Sequence, residues 1–217
     1  MHRTRFLGCR SIAVALATIL LTWPAAGHAQ LGGILPSPPA ATSSTIVGDA
    51  SAAQVSVLGI LGTAMTTALA DTGTLTTANN ALDASTLAGG IPSALSAETM
   101  SASTISWADQ VDSEASLGNL SMTVAGVGIT ADFVMAQASQ VLGAAGSGSS
   151  TLTNLVINGT PITISGAPNQ AIWIPGGQVI INEQTISSTG TTVVNALHVV
   201  VTGVADVVVA SATAGIS

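Results

Sequence analysis

The sequence predicts an all-β protein: an antiparallel, sandwich-like single domain of long strands and tight hairpins, preceded by an N-terminal signal peptide. Three observations predict it. Apolar and polar residues alternate over long runs, as in a strand with one face buried. Turn-forming pairs such as Asn158-Gly159 separate β-branched runs. The apolar side chains are mostly Ala, Val, Ile and Leu, with no Tyr, two Phe and three Trp in the chain. Small side chains of that kind fill a thin layer, which suits sheet packed on sheet.

In chain order, residues 1–29 read as a secretory leader. Arg3, Arg5 and Arg10 precede an apolar run from Ile12 to Trp23, followed by Pro24 and small residues up to Ala29. That order of basic, apolar and small segments is a signal peptide, and the apolar run is short of the roughly 20 residues that span a bilayer. Cys9 sits ahead of the apolar run and is expected to leave with the leader. Residues 30–44, rich in Pro, Gly and Ser, read as an extended lead-in. Residues 45–217 form the predicted β domain.

Within that domain, the stretch 76–90 reads as room for one short helical turn. Leu120, Met122 and Val124 alternate with Ser121 and Thr123, the period of a half-buried strand. Asn158-Gly159 suits the positive backbone angles of a tight hairpin. Pro175-Gly176-Gly177 supplies a second turn, in which Pro fixes one position and Gly permits the next. Gly190 marks a third. The run from Asn119 resembles the run from Asn195: Asn, an alternating apolar stretch, a Gly-centred bend, then Ala-Asp and more alternation. This reads as a strand pair used twice in a sheet, with Asp132 matched to Asp206 and both expected to cap backbone N–H groups.

Charge excludes several functions. All ten acidic residues follow Gln30, and the three arginines all precede it. Once the leader is gone, His198 is the only side chain able to carry positive charge. Nucleic-acid binding is excluded because phosphate contacts rest on Lys and Arg. Binding to an anionic membrane is excluded on the same ground. With no cysteine after the leader, stability in an oxidising compartment comes from burial and hydrogen bonding alone.

The remaining chemistry is sparse. Asp71-Thr72-Gly73 has the spelling of an aspartic-peptidase loop, but that chemistry takes two carboxylates sharing a proton and the tripeptide occurs once, so the expectation is a turn. Asp109, Asp112 and Glu114 bring three hard oxygen ligands close together and are the candidate Ca²⁺ site, without the glycine-bearing loop of a dedicated calcium motif. His198 lies opposite Leu197 and Val199 on an alternating run, a polar strand position. No G-x-S-x-G elbow supports a hydrolase. No catalytic residue is assigned, and no cofactor other than the candidate Ca²⁺.

The segments "GAPN", "IPGGQVIINEQ", "VNALHV" and "ADVVVASA", with the Asn-Gly hairpin, resemble the choice-of-anchor P family of bacterial secreted and surface proteins. "VGDASAAQV", "ADTGTL" and "ADFVMAQAS" extend the resemblance from about Ile46 onward. The resemblance implies an exported β-rich domain of uncharacterised role, attached in its relatives through C-terminal sorting signals, and it places "ADTGTL" in an ordinary segment. No sorting motif follows "ADVVVASATAGI" here, so release or non-covalent retention is expected. The expectation is an exported, non-catalytic surface or extracellular protein with a structural or interaction role and a surface or glycan partner. The alternative is a Ca²⁺-assisted carbohydrate-binding or adhesive module, and a secreted hydrolase stands third.

Overall fold

A computed structural model describes residues 44–58, 64–186 and 190–217. The expected leader, Cys9 and nearly all of the lead-in lie outside the described residues. The described residues form one compact unit and contain no helix. The all-β expectation holds.

The strands are β1 (Ile46–Leu58), β2 (Ala64–Asp71), β3 (Asn80–Ile91), β4 (Leu95–Ser106), β5 (Gln110–Val124), β6 (Val127–Val141), β7 (Ser147–Thr153), β8 (Val156–Ile157), β9 (Thr160–Pro161), β10 (Gln170–Ile174), β11 (Gly177–Ile186), β12 (Thr191–Val201) and β13 (Ala205–Ile216). They build two antiparallel sheets. The first has the order β10-β11-β12-β13-β1-β2; the second runs β3-β4-β5-β6-β8-β9, with β7 also paired to β6. β13 lies over β5 and β6 across the core.

The core is a layer of Ala, Val, Ile and Leu. Ala50, Ala115, Ala136 and Ala212 are fully buried beside Val134, Val179, Leu117 and Leu197. No aromatic ring is buried among the described residues. The two tryptophans among them stand outside the core, Trp107 at 42% exposure and Trp173 at 80%.

The hairpins follow the turn chemistry. Asn158 and Gly159 both take positive φ, 49° and 77°, between β8 and β9, and the Asn158 side chain accepts the Gly128 N–H at 2.9 Å. Ala125 and Gly126 do the same between β5 and β6 with φ of 49° and 81°, a turn whose first residue carries no sequence signal.

One expectation is corrected. The stretch 76–90, read as room for one short helical turn, is extended in β3 from Asn80 onward. Asn79, at φ 56°, redirects the chain, and β3 then pairs with β4 from Asn80↔Ser106 to Ile91↔Leu95. Ladder pairing outweighs the weak helical preference of this Ala-containing stretch.

A further departure from simple alternation runs across both sheets. Strands of the first sheet turn two successive residues inward at mid-length: Ala52 and Ala53, Ile181 and Asn182, Ala196 and Leu197, Val209 and Ala210. Asn182 and Ala210 hold positive φ there, 54° and 53°. In the second sheet the doubled positions face outward, at Glu98-Thr99 and Gly118-Asn119, with Thr99 and Asn119 at φ 47° and 48°. A left-handed residue inserted in a strand shifts its side-chain phase, as at a β-bulge, and bends the strand.

The internal repeat is real in backbone terms but is used differently from expectation. Its two copies are the hairpins β5–β6 and β12–β13, one in each sheet rather than two in one. The leading asparagines act alike: Asn119 Nδ2 donates to Glu98 Oε2 and Asn195 Nδ2 to Glu183 Oε2, each at 2.7 Å to the preceding strand. The matched aspartates do not. Asp132 accepts from the Asn154 side chain at 2.6 Å and Asp206 meets His198, so both contact side chains rather than the backbone N–H groups expected of them.

Candidate functional site

The outer face of the second sheet carries a trough of about 470 Å³ across β4, β5, β6 and β7. Strand register builds it. One row joins Ser103, Glu114, Gln137 and Ser149 as direct cross-strand neighbours. A second row, two residues along, joins Ile105, Asp112, Ser139 and Ser147. Period-two alternation puts all eight on the same face, with neighbours in a row about 5 Å apart and the rows about 6.7 Å apart.

The first row is wired by hydrogen bonds. Ser149 Oγ donates to Gln137 Oε1 at 3.3 Å, and Gln137 Nε2 donates to Glu114 Oε2 at 2.6 Å. In the second, both Asp112 oxygens accept from Gln110 Nε2, at 3.0 and 2.8 Å. The floor is anchored to the opposite sheet. Ser113 Oγ donates to the Thr213 carbonyl at 2.6 Å and so accepts from Thr104 Oγ1 at 2.7 Å. A buried hydroxyl pair satisfied in this way holds β5 rigidly on β13.

Ile105 lines the trough, and beyond its second row the β4–β5 turn and the end of β6 carry further large apolar residues. Trp107 N–H donates to the Gln110 carbonyl at 2.8 Å across the β4–β5 turn, and Gln110 pairs with Val141. Ile105, Trp107, Val141 and Leu142 are all large and exposed, at 39–47%. Sequence reading missed this set because its members come from two hairpin ends, which only the register of β5 with β6 brings to the same end of the sheet.

The candidate Ca²⁺ residues fall at this place. Asp112 and Glu114 line the trough from β5. Asp109 is in the β4–β5 turn, where its carbonyl accepts the Leu142 N–H at 2.8 Å. Among the described residues no group of three or more His, Cys, Asp or Glu is placed to hold a metal ion.

Asp71 makes the turn expected of it. Its Oδ1 accepts the Gly73 N–H at 2.8 Å, with Gly73 at φ 67°. Thr72 stitches the turn to β1, its N–H donating to the Ala50 carbonyl at 2.9 Å and its Oγ1 accepting the Ala50 N–H at 3.0 Å. Sequence reading missed a second carboxyl here. Asp49 is raised above the ordinary carboxylate range, first by burial and then by the charge of Asp71, against a lowering hydrogen bond from Thr74. Asp71 itself is exposed and spends an oxygen on its own turn, unlike a catalytic dyad whose carboxyls share a proton in a cleft.

His198 lies on the outer face of the first sheet, between buried Leu197 and Val199. Its Nδ1 is 2.8 Å from Glu183 Oε2 and its Nε2 3.0 Å from Asp206 Oδ1. Ionised carboxylates only accept, so a neutral imidazole donates to one of them and an imidazolium to both. Both ring nitrogens face carboxylate oxygens, and neither faces the hydroxyl that nucleophilic catalysis by serine requires.

No helix among the described residues is long and apolar enough to cross a membrane. Compared with protein-family models, with curated proteins and with solved structures, the chain matches none.

Proposed function

We propose that this chain is an exported, non-catalytic surface or extracellular interaction protein that works through the trough on its second sheet. The observation that carries the reading is the trough itself, a concave, hydrogen-bonding surface with an exposed apolar end, set on a rigid ladder. Concavity combined with a few polar groups and an aromatic neighbour is the usual form of a binding site. Export rests on the order of basic, apolar and small segments over residues 1–29. Membership of the choice-of-anchor P family belongs to the same reading and rests on the quoted segments from Ile46 onward.

Non-catalytic action is supported by how the acids are used. Asp71 closes a turn, Glu183 and Asp206 hold His198, and Asp112 and Glu114 are engaged by glutamine amides. The test is binding of purified, labelled protein to washed envelope of the producing organism. Saturable binding that falls in trough variants supports the reading; no binding beyond that of an unrelated acidic protein defeats it.

A Ca²⁺-assisted carbohydrate-binding or adhesive module remains the second reading, favoured by two carboxylates side by side in the trough. Millimolar Ca²⁺ would then raise the melting temperature, and Asp112→Asn would abolish the rise. An unchanged melting temperature rejects it.

A further inference from the structure

We infer that the trough binds an uncharged, hydroxyl-rich glycan chain without calcium, with Trp107 as the stacking platform. The inference rests on the interaction reading above and names the chemistry of the ligand for that site.

Main-chain recognition is closed off across the centre of the trough, away from its β7 rim. The trough crosses the interior of a sheet, where β5 and β6 are paired on both sides and their N–H and C=O groups go into the ladders. Peptides recognised by adding a strand need a free edge. The trough instead offers side chains: serine hydroxyls, which donate and accept, and carboxylates, which accept. Such a set matches a ligand bearing many hydroxyl groups at short spacing.

Charge narrows the class further. No Lys or Arg follows Arg10, and two carboxylates line the trough, so phosphate, sulfate and uronate groups are repelled. The carboxylates are also oriented in advance. Gln137 takes Glu114 Oε2 at 2.6 Å and leaves Oε1 for a ligand hydroxyl. Gln110 Nε2 donates to both oxygens of Asp112, so an amide holds this carboxylate where a cation otherwise would. That engagement is why calcium is not required.

The apolar end supplies what hydrogen bonds alone lack. Hydroxyl-to-hydroxyl exchange with water yields little net affinity, so the apolar C–H face of a sugar ring needs an apolar partner. Trp107 is 42% exposed, although no aromatic ring is buried among the described residues, and its place in the chain is two residues beyond Ile105, one ladder step past the trough's second row. A tryptophan there carries a flat, rigid surface at low entropic cost.

The test is isothermal calorimetry, with tryptophan fluorescence in parallel, on the mature protein in EDTA. The probes are cello-, chito-, xylo-, manno- and malto-hexaose, with a lysine-rich peptide as the cationic competitor. At least one neutral oligosaccharide binds, and Trp107→Ala weakens it about tenfold or more, the scale of an aromatic anchor. Trp107→Phe restores most of the affinity, Glu114→Gln weakens it, and Trp173→Ala on the other sheet leaves it unchanged. An unaltered melting temperature in Trp107→Ala shows that the loss is not unfolding. The inference is overturned if no probe binds up to about 10 mM, if binding ignores Trp107, if EDTA abolishes it, or if only the peptide binds, with the salt dependence of a charge contact. Retained envelope binding with no oligosaccharide binding refutes the glycan assignment alone; loss of both refutes the interaction reading as well.

Discussion

Replacing Leu117 and Leu87 in turn by alanine separates burial from mere hydrophobicity. Leu117 is fully buried on β5 beneath β13, while Leu87 on edge strand β3 is 86% exposed. Leu117→Ala removes three carbon groups at about 0.8 kcal/mol each. The cavity left behind adds to that, because the two sheets are fixed by their ladders and collapse only in part; a total of about 3–4 kcal/mol follows. Leu87→Ala removes the same atoms from water-exposed surface and changes stability by no more than about 0.5 kcal/mol. For a domain of this size each kcal/mol lowers the melting temperature by about 2–4 °C, so Leu117→Ala melts about 6–16 °C lower. Urea denaturation followed by far-ultraviolet circular dichroism gives both values, with equal slopes required for the comparison. A cost below about 1 kcal/mol at Leu117, or similar costs at both sites, would refute the two-layer core.

Three other predictions test particular contacts. Asp49→Asn removes a carboxyl raised above 3.8 by burial and by Asp71 while keeping an acceptor for Thr74. The folded state holds that proton more tightly than the unfolded state, so ionisation costs stability once pH exceeds 3.8. The variant should therefore melt above wild type at neutral pH, with the difference closing below 3.8; a pH-independent difference contradicts the cause assigned. Asn158→Ala loses the bond to Gly128 and puts a Cβ residue without local hydrogen bonding at φ 49°; it should cost about 2 kcal/mol in chemical denaturation, and Asn158→Gly about half of that. Trypsin should leave the denatured mature protein intact, because Arg3, Arg5 and Arg10 are its only sites in the chain; tryptic fragments would show that the leader is retained.

Much of the fold was legible because alternation and turn chemistry are local. Leu120, Met122 and Val124 face the core as their period of two requires, and Asn158-Gly159 and Pro175-Gly176 turn as their backbone preferences dictate. The mid-strand phase shifts were not legible. Leu117 and Leu120 are both buried although three apart, a spacing that suggests a helix or a break until Asn119 is seen at φ 48°. The stretch 76–90, read as room for one short helical turn, is extended from Asn80 onward because of its pairing with β4, which no local signal shows.

The candidate site was half legible. Asp112 and Glu114 stood out as neighbouring acids, but the trough depends on Gln137, Ser139, Ser147 and Ser149, brought beside them only by the pairing of β5, β6 and β7. Serine and glutamine carry no signal in a sequence full of them. Asp49 lies 22 residues from Asp71, and nothing local indicated that β1 and the turn after β2 would bring the two carboxyls together. Conversely, the matched Asp132 and Asp206 suggested a shared role that geometry does not give them.

The central claim is that this protein acts through the outer trough of its second sheet and not through the carboxyls around residue 71. Envelope binding by wild type, by Trp107→Ala combined with Glu114→Gln, and by Asp71→Asn tests it in one experiment. The account predicts that the trough variant loses binding while Asp71→Asn binds as wild type does. Loss of binding in Asp71→Asn, with the trough variant unaffected, would contradict it.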